Sequence, residues 1–179
     1  MKEQVILVND ADDQVGIMDK MEAHRNPTLH RAFSVFIFNK RGEMLLQKRA
    51  DHKYHSAGLW TNACCSHPRP GESTEDAATR RLGEEMGFST PLEKAFEFIY
   101  RASFKNGLHE FEFDHVFMGE YDSTINPNPE EVTEYCFMTM DAIEESLKAN
   151  PDKFTAWFAI AFPRVAGWQS NKTLTRRQA

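Results

Sequence analysis

Residues 66–88 read SHPRPGESTEDAATRRLGEEMGF, which combines a polar loop with a short segment of helical periodicity. Ser73 and Thr74 are the candidate N-caps, because their hydroxyl groups accept hydrogen bonds from the free amides of a first helical turn. Gly87 is typical of the left-handed residue that ends a helix, so the helix is predicted to end at Met86. Its charged positions beyond the first turn are Arg80, Arg81, Glu84 and Glu85. The stretch therefore predicts a loop, a helix and a second loop, with acids and bases on the helix surface.

Alternating apolar and polar residues on both sides of this helix predict a sheet. The clearest element is a hairpin in which residues 39–42, with a glycine at position 42, turn between two strands. The predicted strands cover residues 5–8, 15–18, 32–38, 43–49, 95–104, 108–121 and 134–139.

Two further helices are expected after the sheet. The predicted helices cover residues 74–86, 141–149 and 154–168. Asp141 is the expected cap of the second helix, and Pro163 should kink or interrupt the third. The polar tail, 171–179, is expected to be frayed. We therefore predict one α/β (α+β) domain over residues 1–179, in which helices flank a mixed, largely antiparallel sheet.

Composition indicates a folded, soluble domain. The 179 residues are 41% hydrophobic and 27% charged, which suits one packed core rather than a disordered chain. The net charge of −6 gives no global attraction for nucleic acid or an anionic membrane, so neither is an expected partner and a bound anion needs a local basic pocket. The three cysteines form no CxxC pair, which argues against a disulfide framework and favours the reducing cytoplasm. No apolar run approaches the roughly 20 residues of a membrane span.

The long polar stretch over residues 50–73 is where a site is expected, because loops of this length in compact domains are usually functional. A second candidate lies on the predicted strand 108–121, where side chains alternate between two faces. The acids on one face are Glu110, Glu112 and Asp114, whereas the histidines His109 and His115 point the other way. Two carboxylates two residues apart therefore share a face.

The spacing within residues 66–88 resembles the Nudix box, in which a Gly is followed by a Glu and later by Arg-Glu-x-x-Glu-Glu-x-Gly. Such a loop and acidic helix gather oxygen ligands for Mg²⁺, and the cation neutralises diphosphate oxygens. Ser66 replaces the first Gly of the box, and Arg81 replaces a Glu that hydrolases of this superfamily use. An arginine binds a diphosphate but neither ligates a metal nor accepts a proton from water, so hydrolysis is the less favoured chemistry.

Four further motifs resemble those of the type 1 isopentenyl-diphosphate Δ-isomerases. They are LWTNACCSHP at 59–68, Tyr100-Arg101-Ala102, Glu110-Phe111-Glu112 and Phe154-Thr155-Ala156-Trp157. The resemblance covers residues 4–162, and the motifs keep mutual spacings that a Nudix box alone does not require. It implies a Nudix-like fold, a mixed sheet core with flanking helices, and an N-terminal extension, residues 1–30, that closes over the site.

The resemblance also implies two metal sites. The first, suited to Mn²⁺, Zn²⁺ or Mg²⁺, has the ligands His24, His30, His67, Glu110 and Glu112. Glu85 matches the ligand of a second cation, Mg²⁺, which enters with the substrate diphosphate, and the backbone carbonyl of Cys65 is its expected partner. Taken singly, His24 and His30 would be loop histidines without a role, so their assignment depends on the resemblance.

Catalytic and substrate-binding residues are implied in the same way. Cys65 matches the catalytic cysteine, and either Glu112 or Tyr100 is expected to protonate the substrate. The residues that match the diphosphate site are Lys20, Arg49, Lys53 and Arg81. Trp157 matches a pocket tryptophan whose π face can contact a carbocation. The residues expected to be structural are Cys64, Cys136, His109 and His115.

The implied reaction is the reversible 1,3-allylic proton shift between isopentenyl diphosphate and dimethylallyl diphosphate, a step of isoprenoid biosynthesis. Residues around 20–30 are expected to become ordered over the site when metal or substrate binds. Two alternatives stay open: a Nudix hydrolase of a diphosphate substrate, and a non-catalytic module that binds diphosphates. The sequence favours a monomer and leaves other oligomeric states open.

Overall fold

A computed structural model describes the backbone of residues 3–178 and the side chains of residues 3–172. This part of the chain forms nine strands and four α-helices. The strands are β1 (Gln4–Val8), β2 (Gln14–Asp19), β3 (His30–Phe38), β4 (Met44–Arg49), β5 (Trp60–Thr61), β6 (Cys64–Ser66), β7 (Leu92–Ser103), β8 (His109–Glu120) and β9 (Val132–Met138). The helices are α1 (Lys20–Arg25), α2 (Thr74–Met86), α3 (Met140–Ala149) and α4 (Ala156–Gln178).

The sheet is organised around β3, which pairs with four other strands. It is antiparallel to β1, β4 and β6 and parallel to β8. The other pairings, β1 with β2, β4 with β5 and β9, and β7 with β8, are antiparallel. The predicted mixed, largely antiparallel sheet is therefore confirmed, and β3 and β8 run side by side through its centre.

Helices cover both faces of the sheet, and the alternation of β3 divides its side chains between two cores. Val35 packs in the core that contains Leu82 and Met86 of α2. Phe36 packs in the opposite core, with Phe158 of α4. Full burial of one such side chain contributes about 1.5–3 kcal/mol to folding. The flanking helices of the predicted α/β domain are thus held by apolar burial on each side.

Helix α2 begins and ends where the sequence predicts. The side chain of Ser73 accepts a hydrogen bond from the amide of Asp76, and Gly87 adopts a left-handed conformation with φ of 75°. Both signals are local, which is why they are readable without the rest of the chain.

Several local expectations were wrong. The segment around His24 forms α1, and two short strands, β5 and β6, lie within the long polar stretch. Thr139 rather than Asp141 caps α3, because the Thr139 hydroxyl accepts from the amide of Ala142. The unassigned helix α1 has a similar cap, since Asp19 accepts from the amide of Glu22.

The helix α4 also differs from its prediction. It continues through Pro163 without interruption and reaches Gln178, so most of the tail expected to be frayed is helical. Apolar side chains before and after the proline, among them Phe158 and Val165, are buried against the sheet and outweigh the lost hydrogen bond. Beyond them Lys172 binds Glu93 at 2.6 Å. Ala179 lies outside the described residues.

Among the helices within the described part of the chain, none combines the length and the apolar character needed to cross a membrane.

Replacing Gly87 by alanine should destabilise the fold more than the same change at Gly42. Both glycines have positive φ, a conformation that costs other residues about 1–2 kcal/mol. A Cβ at Gly42 meets open space, whereas one at Gly87 would lie 2.1 Å from the carbonyl oxygen of Asn126. We expect denaturant titrations to show a loss of about 1–2 kcal/mol for Gly42→Ala and about 3 kcal/mol or more for Gly87→Ala. Equal losses would contradict this assignment.

Candidate active site and metal centre

A cavity of about 380 Å³ is lined by residues from α1, β4, the loop that follows β4, β6, α2, β7, β8 and α4. The predicted site residues that line it are Lys20, His24, Arg49, Lys53, Cys65, His67, Arg81, Glu85, Tyr100, Glu110, Glu112 and Trp157. The remaining predicted residue, His30, is fully buried and contacts His67 and Glu112. Residues distant in the chain are therefore brought into one place.

Four of the predicted metal ligands converge on one point. Ligand atoms of all four lie within 4.8 Å of one another, and the residues, all buried, are His24, His30, His67 and Glu112. Oε1 of Glu112 lies 3.0 Å from Nε2 of His67 and 3.5 Å from Nε2 of His30. Nε2 of His24 is 4.0 Å from the same oxygen. The sheet sets this geometry, because His30 and Glu112 are register partners in the parallel β3–β8 pair.

Backbone hydrogen bonds orient two of these imidazole rings. Nδ1 of His24 lies 2.7 Å from the carbonyl oxygen of Lys20, and Nδ1 of His30 lies 2.8 Å from that of Thr28. A ring that donates through Nδ1 keeps a lone pair on Nε2, which here faces the cluster. Nε2 of His24 is buried without a hydrogen-bond partner among the described residues.

Burial keeps the imidazoles of His24 and His67 in the neutral form, which can bind a cation. Desolvation lowers the pKa of His24, and it lowers the pKa of His67 to about 4 although Glu112 opposes the change. Both rings are therefore neutral near pH 7. Lone pairs that face one another, an unpartnered nitrogen and a buried carboxylate fit a divalent metal, and nitrogen with carboxylate ligands suit Mn²⁺, Zn²⁺ or Mg²⁺.

The second predicted carboxylate, Glu110, lies beside the cluster. Tyr100 is the register partner of Glu112 across β7 and β8. Its hydroxyl oxygen lies 2.6 Å from Oε2 of Glu112 and 3.0 Å from Oε2 of Glu110. Burial, followed by the charge of Glu112, raises the pKa of Glu110 well above its usual range.

Glu112 has the opposite tendency. Burial alone would raise its pKa, but the polar contacts of its carboxylate with His30 and His67 hold the pKa well below the usual value. Burial raises the pKa of the Tyr100 phenol, and the two carboxylates add to that rise. Tyr100 therefore stays protonated and donates to the ionised Glu112, which places a proton donor and a carboxylate side by side in the cavity.

The two adjacent cysteines lie in different environments. Cys65 of β6 is half-buried and lines the cavity, and its strand partner on β3 is Ser34. Cys64 is fully buried in the core with Leu82. Burial raises the pKa of the Cys65 thiol, whereas the positive charge of Arg49 lowers it. Cys136 is half-buried at the edge of the other core. Strand alternation thus places one cysteine of the pair in the cavity.

Basic side chains line the same cavity, and acids within the protein bind several of them. Arg81 donates to Glu85 at 2.6 Å and lies 3.3 Å from Glu131. Lys53 forms an ion pair with the same Glu131. Lys20 binds Glu3 at 3.1 Å. The fourth cation, Arg49, lies 5.2 Å from the centre of the Trp157 ring, and that tryptophan is 3% exposed.

Sequence reasoning missed several residues of this cavity. Gln47 donates to Glu85 at 2.8 Å, and Glu131 accepts from two of the predicted cations. His55 is 7% exposed, its ring stacks on Phe104 with centroids 4.7 Å apart, and burial lowers its pKa to about 3. The signal for His55 was its position within the long polar stretch 50–73, where a site was expected.

The two histidines expected to be structural lie away from the cavity. Nδ1 of His109 is 2.9 Å from the hydroxyl oxygen of Ser103. Nε2 of His115 is 3.0 Å from Oδ2 of Asp12. Strand alternation on β8 therefore separates these histidines from Glu110 and Glu112, as their spacing predicts.

Comparison with known proteins agrees with this arrangement. The NUDIX domain family matches residues 28–158. The isopentenyl-diphosphate Delta-isomerase of Pectobacterium atrosepticum is 47% identical over 171 residues, which cover 95% of this chain and 96% of the relative. The chain belongs to the isopentenyl-diphosphate Delta-isomerase family. A second member, from Burkholderia multivorans, is 48% identical over 92% of this chain and 94% of its own length.

Solved structures share the fold of this family member at low sequence identity. A crystal structure from Deinococcus radiodurans matches with a TM-score of 0.76 at 21% identity, covering 90% of this chain and 98% of the other. The MutT protein of Methanosarcina mazei matches with a TM-score of 0.63 at 21% identity, covering 76% and 91% of the two chains. These likenesses concern the fold alone.

Replacing His30 by alanine should weaken Mn²⁺ binding. Loss of a residue that only supports a metal ligand typically weakens metal binding about 10- to 100-fold. We expect a larger loss here, because the substitution removes a ligand atom itself. His109→Ala is the matched control, because His109 lies on the same strand as Glu110 and Glu112 but contacts Ser103 instead of the cluster. Isothermal titration with Mn²⁺ gives both affinities. Equal affinities of the two variants would argue against the cluster as the metal centre.

Proposed function

We propose that this protein interconverts isopentenyl diphosphate and dimethylallyl diphosphate by a reversible 1,3-allylic proton shift in isoprenoid biosynthesis. The observation that carries the proposal is the placement of Cys65 and the Tyr100–Glu112 pair in one cavity. A shift of a double bond needs one group that adds a proton and another that removes one. Membership of the isopentenyl-diphosphate Delta-isomerase family supports the same activity.

The proposed metal ligands divide into two groups. The first cation, Mn²⁺, Zn²⁺ or Mg²⁺, would be held by His24, His30, His67, Glu110 and Glu112. Glu85, with the backbone carbonyl of Cys65, would hold Mg²⁺ that arrives with the diphosphate. Bound cations supply positive charge that fixes carboxylates and offsets the charge of the diphosphate.

The basic residues would bind the diphosphate by exchanging partners. Arg81 and Lys53 both contact Glu131, and Lys20 contacts Glu3, so each cation is already directed by an acid near the cavity. Phosphate oxygens can take the place of those acids, and a guanidinium group can bind two of them at once. An acidic protein thereby offers a local anion site.

The proposed proton transfers need one group that donates a proton and one that accepts it. Glu112 or the Tyr100 hydroxyl beside it would add a proton to carbon 4 of isopentenyl diphosphate, leaving a tertiary cation at carbon 3. Cys65 as thiolate would then remove a proton from carbon 2, forming the new double bond. Burial raises the pKa of Cys65 and so disfavours the thiolate, whereas the positive charge of Arg49 favours it. In the reverse direction, the Cys65 thiol donates and the Tyr100–Glu112 pair accepts.

The cationic intermediate needs protection from water. Trp157 is almost completely buried and lines the cavity, so its π face can stabilise positive charge without supplying a nucleophile. From another side, Lys20 and His24 of α1 line the same cavity. We infer that the N-terminal segment closes over the bound substrate.

One assay tests the proposed function against its alternatives. The protein is incubated with isopentenyl diphosphate, Mg²⁺ and Mn²⁺, and the products are separated. Formation of dimethylallyl diphosphate is expected. Released phosphate would identify a hydrolase instead, and unchanged substrate with measurable binding would identify a diphosphate-binding module.

Replacing Cys65 by alanine or serine should abolish most turnover in that assay. Removal of a group that transfers a proton typically costs about 10²- to 10⁴-fold in rate. Cys64→Ala is the matched control, because Cys64 is the adjacent cysteine and lies in the core. Full turnover by both Cys65 variants would refute the assignment of the base.

Limited proteolysis tests closure of the N-terminal segment. Trypsin can cut after Lys20 and Arg25 of α1, and we expect Mn²⁺, Mg²⁺ and isopentenyl diphosphate together to slow those cuts. His24 would then be held by the metal and Lys20 by phosphate. Cleavage after Lys40, an exposed residue in the turn between β3 and β4, serves as the control. Unchanged cleavage at α1 would count against closure.

A further inference from the structure

His55 lies in the loop after β4, and aromatic rings hold it in place from several sides. Its ring stacks on Phe104 with an interplanar angle of 8° and meets the Tyr54 ring edge-on at 4.4 Å. The ring of Trp157 lies 5.8 Å away, also edge-on. A histidine so enclosed has one orientation, so its two nitrogens face defined neighbours.

Those neighbours are a serine hydroxyl on one side and a carboxylate on the other. Nδ1 of His55 lies 3.3 Å from the hydroxyl oxygen of Ser56. Nε2 lies 3.6 Å from Oε1 of Glu110. If the Ser56 hydroxyl donates to Nδ1, the neutral ring carries its hydrogen on Nε2 and presents it to Glu110. The separation is slightly longer than a hydrogen bond, as is common for such contacts in active sites without ligand.

The backbone of this loop is constrained at the residue that contacts Nδ1. Ser56 has a φ of 51°, a left-handed conformation that is unfavourable for serine. The loop is also tied at other points: Nδ2 of Asn106 donates to the carbonyl oxygen of Tyr54, and Nη2 of Arg49 lies 3.4 Å from that of His55. The surroundings thus determine the position of the imidazole.

Each carboxylate oxygen of Glu110 has a defined neighbour. Oε1 faces His55, and Oε2 lies 3.0 Å from the hydroxyl oxygen of Tyr100. The same hydroxyl donates to Glu112, which belongs to the metal cluster. His55 therefore stands at the outer end of a chain that runs through Glu110 and Tyr100 to Glu112.

We propose that His55 is a positioning residue, which orients the Glu110 carboxylate toward Tyr100 and the metal centre. The proposal rests on the proposed function for the role of Glu110 as a ligand. Outer-shell partners of metal ligands hold the ligating carboxylates in the geometry that binding requires. His55 would act in this way on Glu110 without contacting the substrate carbons.

Two substitutions separate the hydrogen-bond donor from the ring. His55→Phe keeps an aromatic ring on Phe104 but removes the N–H group, whereas His55→Gln keeps an N–H donor near the position of Nε2. His52→Phe is the matched control, because His52 lies in the same loop with a side chain 61% exposed and 3.9 Å from Glu130. For each variant, the measurements are Mn²⁺ affinity by titration, kcat and KM with isopentenyl diphosphate, and melting temperature.

We expect His55→Phe to weaken Mn²⁺ binding and lower kcat, each by about 10- to 100-fold, with little change in KM. His55→Gln should recover most of both losses, and His52→Phe should match the unaltered protein. Wild-type values in His55→Phe, or a loss in His55→Gln as large as in His55→Phe, would overturn the proposal. The Mn²⁺ affinity does not depend on turnover, so failure of the unaltered protein to form dimethylallyl diphosphate would refute the proposed function separately.

Discussion

Three imidazole nitrogens and a carboxylate oxygen meet within 4.8 Å in the interior of this protein, and the active-site architecture depends on that meeting. Water cannot reach the nitrogens of these buried imidazoles, and Nε2 of His24 has no hydrogen-bond partner among the described residues. Such an arrangement is costly unless a cation occupies its centre. Each ligand comes from a different part of the chain: His24 from α1, His30 from β3, His67 from just after β6, and Glu112 from β8. A cation there would tie the N-terminal segment to the central strands and would fix the carboxylate to which Tyr100 donates.

Ion pairs between basic and acidic side chains continue from the metal cluster across the cavity. Acidic residues of the protein itself contact three of the cations proposed to bind diphosphate: Glu3 contacts Lys20, and Glu131 contacts both Lys53 and Arg81. Such pairs limit repulsion among like charges before a ligand arrives and keep the cations directed near the cavity. Arg81 stands at the helix position where hydrolases of the superfamily carry a glutamate. Here this position holds an arginine, which forms an ion pair with Glu85 one turn later. An arginine at this position can bind an anion but cannot activate water, in keeping with the proposed function.

Much of the fold was predictable because its signals are local. Ser73 and Gly87 determine the ends of α2 through hydrogen bonds and backbone conformation within a few residues. Alternation along β8 correctly placed Glu110 and Glu112 on a different face from His115. The helix α1 was missed, since six residues carry too little periodicity to be recognised. Pro163 was expected to kink or interrupt α4, and the helix is not interrupted, because apolar residues on both sides of the proline pack against the sheet. That packing is invisible in the sequence.

The sequence by itself determined the α/β class, the α2 scaffold, the family resemblance and the residue types available for chemistry, because each depends on local order or spacing. Only the tertiary structure decided which of these residues meet. The parallel register of β3 and β8 brings His30 to Glu112, and the pairing of β7 with β8 brings Tyr100 to the same carboxylate. The tertiary structure also places His55, Gln47 and Glu131 in the cavity, and no motif identified these residues. Contacts between distant segments arise from sheet register and shared burial, and neither is encoded in any single stretch of the chain.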